Sequence, residues 1–300
     1  MNIKLSLESL EVLDAIARKG SFAAAAESLY RVPSAITYSI RQLEDDLGVK
    51  LFDRSGHRAE LTEAGAELLR EGRNLLRAAG ELEARVKRVA TGVETELGIA
   101  ISDLFRIDAI FNILQEFYQQ GFGTRIRIMQ EVYGGSWDAL VTGRADISIG
   151  APGDGPSGGG YSTKPIGTLE FQFAVAPFHP LASLAEPLQN QDILQYCSIS
   201  AADSSRNLPP RTSGILSGQD VLTVPDMYSK LQAQIGGLGV GYLPKYLAEK
   251  YAENNKLVIK QVAEPKPEAV AFLAWNSNGG KAQQWLIKQF EKLKLEELLM

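Results

Sequence analysis

The sequence predicts an α/β chain in which a small helical domain with a hairpin precedes a long helix and then two α/β subdomains. Three observations predict it. Short amphipathic helical patterns, punctuated by turn residues, fill residues 1–65. A heptad-like apolar repeat runs through residues 62–91. From 92 to 300, β-type runs alternate with helical ones. Charge follows the same division: residues 1–90 carry 14 Lys+Arg against 14 Asp+Glu, so the net charge of −5 rests entirely on the remainder.

Composition narrows the function classes. A chain of 300 residues exceeds the usual size of one domain. Hydrophobic residues at 45% and charged residues at 22% argue against disorder. A net charge of −5 excludes a uniformly basic nucleic-acid coat, though not a local basic surface. Cys197 is the single cysteine and cannot form an internal disulfide, and His57 and His179 stand far apart without ligand spacing. Neither a metal site nor a cofactor is expected. No apolar run of about 18 residues occurs, and Met1 to Glu8 does not read as a signal peptide. The expectation is a soluble, cytoplasmic protein.

Ser6 caps a helix running to about Lys19, with Leu10, Leu13 and Ala17 inward and Gly20 as its stop. Ser21 caps a second helix, on which Phe22, Ala25, Ala26 and Leu29 recur at i, i+3, i+4, i+7. Tyr30-Arg31-Val32 leaves room only for a turn. Pro33 opens a third helix whose inner face is Ile36, Ile40, Leu43 and Leu47, ended by Gly48. Two helices joined by a three-residue turn form a helix-turn-helix pattern. Opposite the apolar face of the third helix lie Ser34, Tyr38, Arg41 and Asp45, with Thr37 on the flank. Short hydroxyls at its N-terminal end and a guanidinium further on suit a helix that meets base edges in the major groove. The same residues also suit a merely solvated face.

Leu51 to Asp53 and Ala59 to Leu61 read as short strands around Arg54-Ser55-Gly56-His57-Arg58. Arg54, His57 and Arg58 at such a tip reach phosphates. Thr62 caps the long helix, where Leu68, Gly72, Leu75, Ala79, Leu82, Val86 and Val89 follow 4-3-4-3 spacing. That seam predicts a dimerising helix through Leu68, Leu75, Leu82 and Val86; the alternative is a helix packed on its own domain.

These segments resemble the winged helix-turn-helix of LysR-type transcriptional regulators. The motifs Phe22-Ala23-Ala24-Ala25-Ala26, Pro33-Ser34-Ala35-Ile36-Thr37, Gln42-Leu43-Glu44, Leu51-Phe52-Asp53-Arg54 and Leu61-Thr62-Glu63-Ala64-Gly65 carry the resemblance in order and at the family's spacing. Val32 and the pair Thr37-Tyr38 depart from the residues the family commonly has there. The resemblance implies DNA contacts from Ser21, Ser34, Thr37, Tyr38 and Arg41, and from Arg54, His57 and Arg58. It implies a DNA-binding domain at 1–65, a linker and dimerisation helix at 62–91, and an effector-binding domain at 92–300. As partners it implies double-stranded promoter DNA, a small-molecule effector, further copies of the chain as a dimer and a dimer of dimers, and RNA polymerase, with no membrane.

The second region predicts strands at Leu97 to Ile101, Thr124 to Glu131 and Ala145 to Ile149, with helices through Ile107 to Phe117 and Trp137 to Gly143 between them. This order argues for a parallel sheet. The glycine-rich stretch Pro152 to Gly160 reads as a loop. Further strands are expected at Phe171 to Ala176, Gln195 to Ser200, Gly239 to Pro244 and Ala269 to Trp275. Helices are expected at Asp226 to Ile235, Tyr246 to Tyr251 and Lys281 to Leu295. Gly236 to Gly241 follows a helix instead of a strand, so it is not a nucleotide loop.

The family resemblance implies a periplasmic-binding-protein-like pair of subdomains, the first at about 92–164 and 268–300, the second at about 165–267. It places an effector between them. Matching positions are Ser102, Asp103, Tyr133, Gly134 and Ser136, then Ala202, Asp203, Ser204, Thr223 and Pro225; each also reads as a loop residue satisfying local backbone. This set holds carboxylates and no lysine, which favours a neutral, aromatic or cationic effector over a dicarboxylate. An enzyme is not expected: no nucleophile elbow, Ser/His pair or metal set occurs. Cys197 lies in an apolar run that suits inert core.

Overall fold

Ser6 starts the first helix of the computed structural model, which describes residues 4–53, 60–153 and 155–299. Its hydroxyl accepts the Ser9 amide at 3.1 Å, the Ser9 hydroxyl accepts the Ser6 amide in return, and α1 runs Leu7–Lys19. Gly20, at φ 73°, closes it in the left-handed conformation that favours glycine. Helix α2 (Phe22–Ser28) and helix α3 (Pro33–Leu47) follow. Leu13 and Ile16 of α1, Ala25 and Ala26 of α2, and Ile36, Ile40 and Leu43 of α3 share one buried core with Leu51 and Phe52. Strands β1 (Phe52–Asp53) and β2 (Glu60–Leu61) pair antiparallel. The wing residues Arg54, His57 and Arg58 lie outside the described residues.

Helix α4 (Glu63–Thr91) is packed over only part of its length. Its first turns are fixed to this unit. A Cβ on Gly65 would lie 2.1 Å from the Leu51 carbonyl oxygen, and one on Gly72 2.8 Å from Leu10, so glycine permits both approaches. Arg73 adds an ion pair to Asp14 of α1 at 2.7 Å. Leu68 packs against the same core. The expected seam is therefore corrected at its start: Leu68 and Gly72 face their own domain. Leu75, Leu82 and Val86 remain 51%, 59% and 60% exposed.

Contacts divide the chain into Met1–Val89 and Ala90–Met300. The second unit holds a five-stranded sheet in the order β4-β3-β5-β12-β6 and a three-stranded sheet β10-β7-β11, with a parallel pair β8-β9 beside the latter. In chain order the elements are β3 (Glu96–Ser102), a 3₁₀ turn at Ile107–Ile110, α5 (Phe111–Gln119), β4 (Arg125–Glu131), α6 (Gly135–Val141), β5 (Ile147–Pro152), β6 (Tyr161–Leu169) and β7 (Phe171–Val175). A second 3₁₀ turn (Pro180–Ser183) precedes α7 (Asn190–Ile193), β8 (Ser198–Ala201), β9 (Val221–Val224), α8 (Met227–Ile235), β10 (Gly241–Pro244), α9 (Lys245–Glu253), β11 (Val258–Lys260), β12 (Ala269–Asn276), α10 (Lys281–Phe290) and α11 (Leu295–Leu298).

The large sheet is mixed: its first three strands are parallel, as their β-α-β-α-β order predicts, and the later strands are not. β3 is parallel to β4 and β5, but β12 returns antiparallel between β5 and β6. β3 is an interior strand buried on both faces, which is why Leu97-Gly98-Ile99-Ala100-Ile101 reads as an uninterrupted apolar run. The chain leaves this sheet at Glu170 and returns between Lys260 and Ala269, so two crossing segments join the subdomains. β6 carries the first sheet past 164, to Leu169. The helix expected through Ile107 to Phe117 begins as the 3₁₀ turn, and the terminal helix breaks after Phe290, so that α11 drops Leu298 into the core. Cys197 lies just before β8, partly buried.

Candidate functional site

Helix α3 presents the first candidate surface. Ile36, Ile40 and Leu43 are buried, which turns Ser34, Tyr38 and Arg41 outward; Tyr38 is 68% exposed. Among the described residues no carboxylate pairs with Arg41, whereas nearby Arg31 is held by Glu8 at 2.6 Å. Thr37 is partly buried and donates its hydroxyl to the Pro33 carbonyl at 3.0 Å, which fixes its rotamer. Ser21 caps α2 by accepting the Ala24 amide, so its hydroxyl oxygen already has a structural role. Tyr30, almost fully exposed at φ 54°, occupies the turn before α3; the sequence reading treated it only as a connector. Glu44 braces this surface from behind. Burial pushes its carboxyl up, but the Leu51 amide at 2.9 Å, the Lys50 ammonium at 3.1 Å and the Phe52 amide together hold it below its ordinary value. The base of the wing is thereby tied to α3.

The second site is a cavity of about 260 Å³ in the Ala90–Met300 unit. Ser102 and Asp103 line it at the end of β3, and Tyr133 in the loop after β4. Its apolar wall includes Leu104, Val132, Leu169, Phe171, Met227 and Val270. Asp103 is buried and accepts the amide of Met227, the first residue of α8, at 2.8 Å. Burial and the nearby Asp226 charge raise its carboxyl to about 6 despite that bond. Tyr133 sits at φ 49°, a left-handed conformation costly for a non-glycine residue. Burial, then Asp103 and Asp203, push its phenol up to about 12.

The remaining expected effector residues fall elsewhere, and the reason is a clasp. Arg144 spans Glu131 and Asp138, both buried, donating to Asp138 at 3.0 Å. The other Asp138 oxygen accepts the amides of Asn207 and Leu208 at 2.7 and 2.9 Å. Ser204 donates to Glu131, and its hydroxyl oxygen accepts the Val132 amide at 2.8 Å. Asp203 accepts amides from Gly134, Ser205 and Arg211. Gly134, Asp203 and Ser204 thus hold the segment after β8 against the loop between β4 and α6. Ala202 extends β8, its amide donating to the Val224 carbonyl at 2.8 Å. Ser136 is buried within α6, and Thr223 and Pro225 are exposed; none of the three lines the cavity. The sequence reading missed Arg211, Thr212, Ser213 and Lys266, which do line it. Pro265-Lys266-Pro267 was the available signal: prolines on both sides mark a segment that continues neither helix nor strand.

Other singled-out residues have structural roles. His179 accepts the Leu181 amide through Nδ1 at 3.2 Å and caps the second 3₁₀ turn, and burial pushes its imidazole down. Gly236 to Gly241 turns the chain from α8 into β10. Among the described residues no cluster of three or more His, Cys, Asp or Glu could hold a metal, and no helix is long and apolar enough to cross a membrane.

Comparison with known proteins fits this arrangement. Residues 7–66 match the bacterial regulatory helix-turn-helix protein model of the lysR family, and residues 90–293 match the LysR substrate binding domain. The chain belongs to the LysR family. It is 41% identical over 284 residues to the uncharacterized HTH-type transcriptional regulator YeeY of Escherichia coli K12, covering 94% of this chain and 92% of that protein. It is 36% identical over 281 residues to the HTH-type transcriptional regulator PunR of the same organism, covering 93% and 91%. The fold is that of full-length CbnR, solved in complex with its target DNA (TM-score 0.59, 17% identity, 96% of this chain and 99% of that one). It also matches the probable transcriptional regulator PA0477 from Pseudomonas aeruginosa (TM-score 0.55, 21% identity, 97% and 98%). This LysR-type protein is accordingly a transcriptional regulator with an N-terminal helix-turn-helix and an effector-binding domain, and its relatives are regulators, not enzymes.

Proposed function

We propose that this regulator reads promoter DNA through α3 and is controlled by a small molecule bound in the cavity beside Ser102, Asp103 and Tyr133. The observation that carries the reading is an outward Arg41 on α3, with no carboxylate partner among the described residues, together with an apolar cavity bearing a few convergent polar groups. Ser34 and Tyr38 meet base edges, and Arg41 takes a guanine edge or a phosphate. The exposed Leu75, Leu82 and Val86 of α4 pair with a second copy, which doubles the cations offered to paired half-sites. Effector binding shifts a pre-existing equilibrium between arrangements of the two subdomains, because the ligand touches both crossing segments. The protein works in the cytoplasm, where its DNA is.

Fluorescence anisotropy on DNA from upstream of its own gene, against scrambled DNA and across a salt series, tests this. Sequence-dependent, salt-sensitive binding is expected, with Arg41→Ala weaker by about tenfold. Absence of binding to either DNA at low salt contradicts it.

A further inference from the structure

The charge around the cavity identifies the kind of ligand it takes. Lys266, on the return crossing between β11 and β12, lines it with its Nζ 3.8 Å from the centroid of the Phe171 ring on the outward crossing. Among the described residues no carboxylate lies within ion-pair distance of Lys266, and burial lowers its ammonium to about 8. Lys230 of α8 stands nearby, 4% exposed and likewise without a carboxylate among the described residues. Burial and the Lys266 charge lower it to about 7. Arg211, on the segment after β8, also lines the cavity, and its guanidinium donates to the Pro152 carbonyl at 3.2 Å. Among the described lining residues Asp103 is the carboxylate, and it accepts the first amide of α8 at 2.8 Å. Lys266 thus lines an apolar cavity with no carboxylate partner among the described residues, and Lys230 stands nearby in the same condition.

Desolvating a cation without a partner is unfavourable, and a ring face offsets only part of that cost. An anion brought into the cavity offsets the rest. A volume of about 260 Å³ lies below the roughly 300–1,000 Å³ of drug-sized sites. We propose that the effector is a compact organic anion whose carboxylate or phosphate lies against Lys266 and whose apolar body covers Phe171, Leu104 and Val270. This rests on the reading of the cavity as the effector site. It reverses the expectation of a neutral or cationic ligand, whose premise was a site without lysine; an aromatic body remains compatible.

Calorimetric titration of the full-length protein tests the assignment with 4-hydroxybenzoate, phenyl phosphate, the neutral 4-hydroxybenzamide and the cationic benzylamine. At least one of the two anions should bind in the millimolar range or tighter, about tenfold or more ahead of amide and amine. The preferred anion reports the head group. Lys266→Met should lose tenfold or more, Lys266→Arg should retain most binding, and neither should melt below the wild type, since the ammonium removed is unpaired. Equal or better binding of amide or amine, full anion binding by Lys266→Met, or no anion binding at about 10 mM overturns the proposal. Ala269→Leu, which fills the cavity, separates the two readings. Anion binding that survives Ala269→Leu overturns the cavity as the site. Binding lost there but kept in Lys266→Met overturns only the anion assignment.

Discussion

Arg144→Met removes the cation that holds the clasp together. Its guanidinium bridges Glu131 and Asp138, whose side chains are 5% and 0% exposed. Without it, two buried carboxylates lose the cation that bridges them. Breaking a buried pair in this way costs about 3–5 kcal/mol. For a domain of this size each kcal/mol moves the melting temperature by about 2–4 °C, so the effector-domain transition should fall by roughly 10 °C. Differential scanning calorimetry of the full chain reads it, with Arg106→Met as control. Arg106 pairs with Asp108 on the surface, where solvent screens the interaction, and its loss should leave the transition in place. Hydrogen exchange supplies a second readout: the Asn207 and Leu208 amides, held by Asp138, should lose protection first. An Arg144→Met protein that melts with the wild type and keeps those two amides protected refutes the clasp.

Three further outcomes follow from the packing. Leu82→Glu combined with Val86→Glu places charge on the exposed apolar side of α4 and should convert dimer to monomer in sedimentation velocity without unfolding either unit; an unchanged dimer contradicts the seam. Gly65→Ala drives a methyl into the Leu51 carbonyl and should destabilise the DNA-binding unit by about 2 kcal/mol or more in denaturant titration, since backbone cannot give way there; wild-type stability would show that α4 shifts freely. Lys230 binds its proton less tightly folded, at about 7, than unfolded, at its ordinary 10.5. The unfolded chain therefore holds more protons between those values, and stability contributed by this site rises with pH across that window, by at most ~1.4 kcal/mol per unit. Lys230→Met should be more stable at pH 7 and show a flatter rise to pH 9; an unchanged slope contradicts the assignment.

How much of this was legible in the sequence depends on how local each signal is. The three N-terminal helices were readable because Ser6, Ser21, Pro33, Gly20 and Gly48 act on their own turns, and the inner residues repeat every three or four positions. The expected seam ran too far toward the N-terminus because periodicity cannot say which partner a face meets: Gly72 meets Leu10, a contact that spacing does not encode. Strands β6, β9 and β11 escaped for a related reason. Tyr161–Leu169 and Val221–Val224 are largely exposed or half-buried and Val258–Lys260 has three residues, so none shows an inward alternation. The cavity was half readable. Ser102 and Asp103 end an interior strand, a position where sites gather in such folds. Lys266 and Arg211 lie on segments with no periodicity at all, brought to the cavity only by the second crossing and by the Asp203 turn. Gly134, Asp203 and Ser204 looked like ligand contacts because polar loop residues of both kinds share one composition; only their hydrogen bonds separate the clasp from the cavity.

One measurement examines the link between the reading helix and the ligand cavity. Anisotropy of the full chain on its operator, titrated with whichever of the two anions binds more tightly, should be run for the wild type and for Ala269→Leu. The account predicts that the anion shifts operator affinity in the wild type and leaves Ala269→Leu unmoved, while both proteins bind the operator without it. An equal shift in both proteins would contradict it.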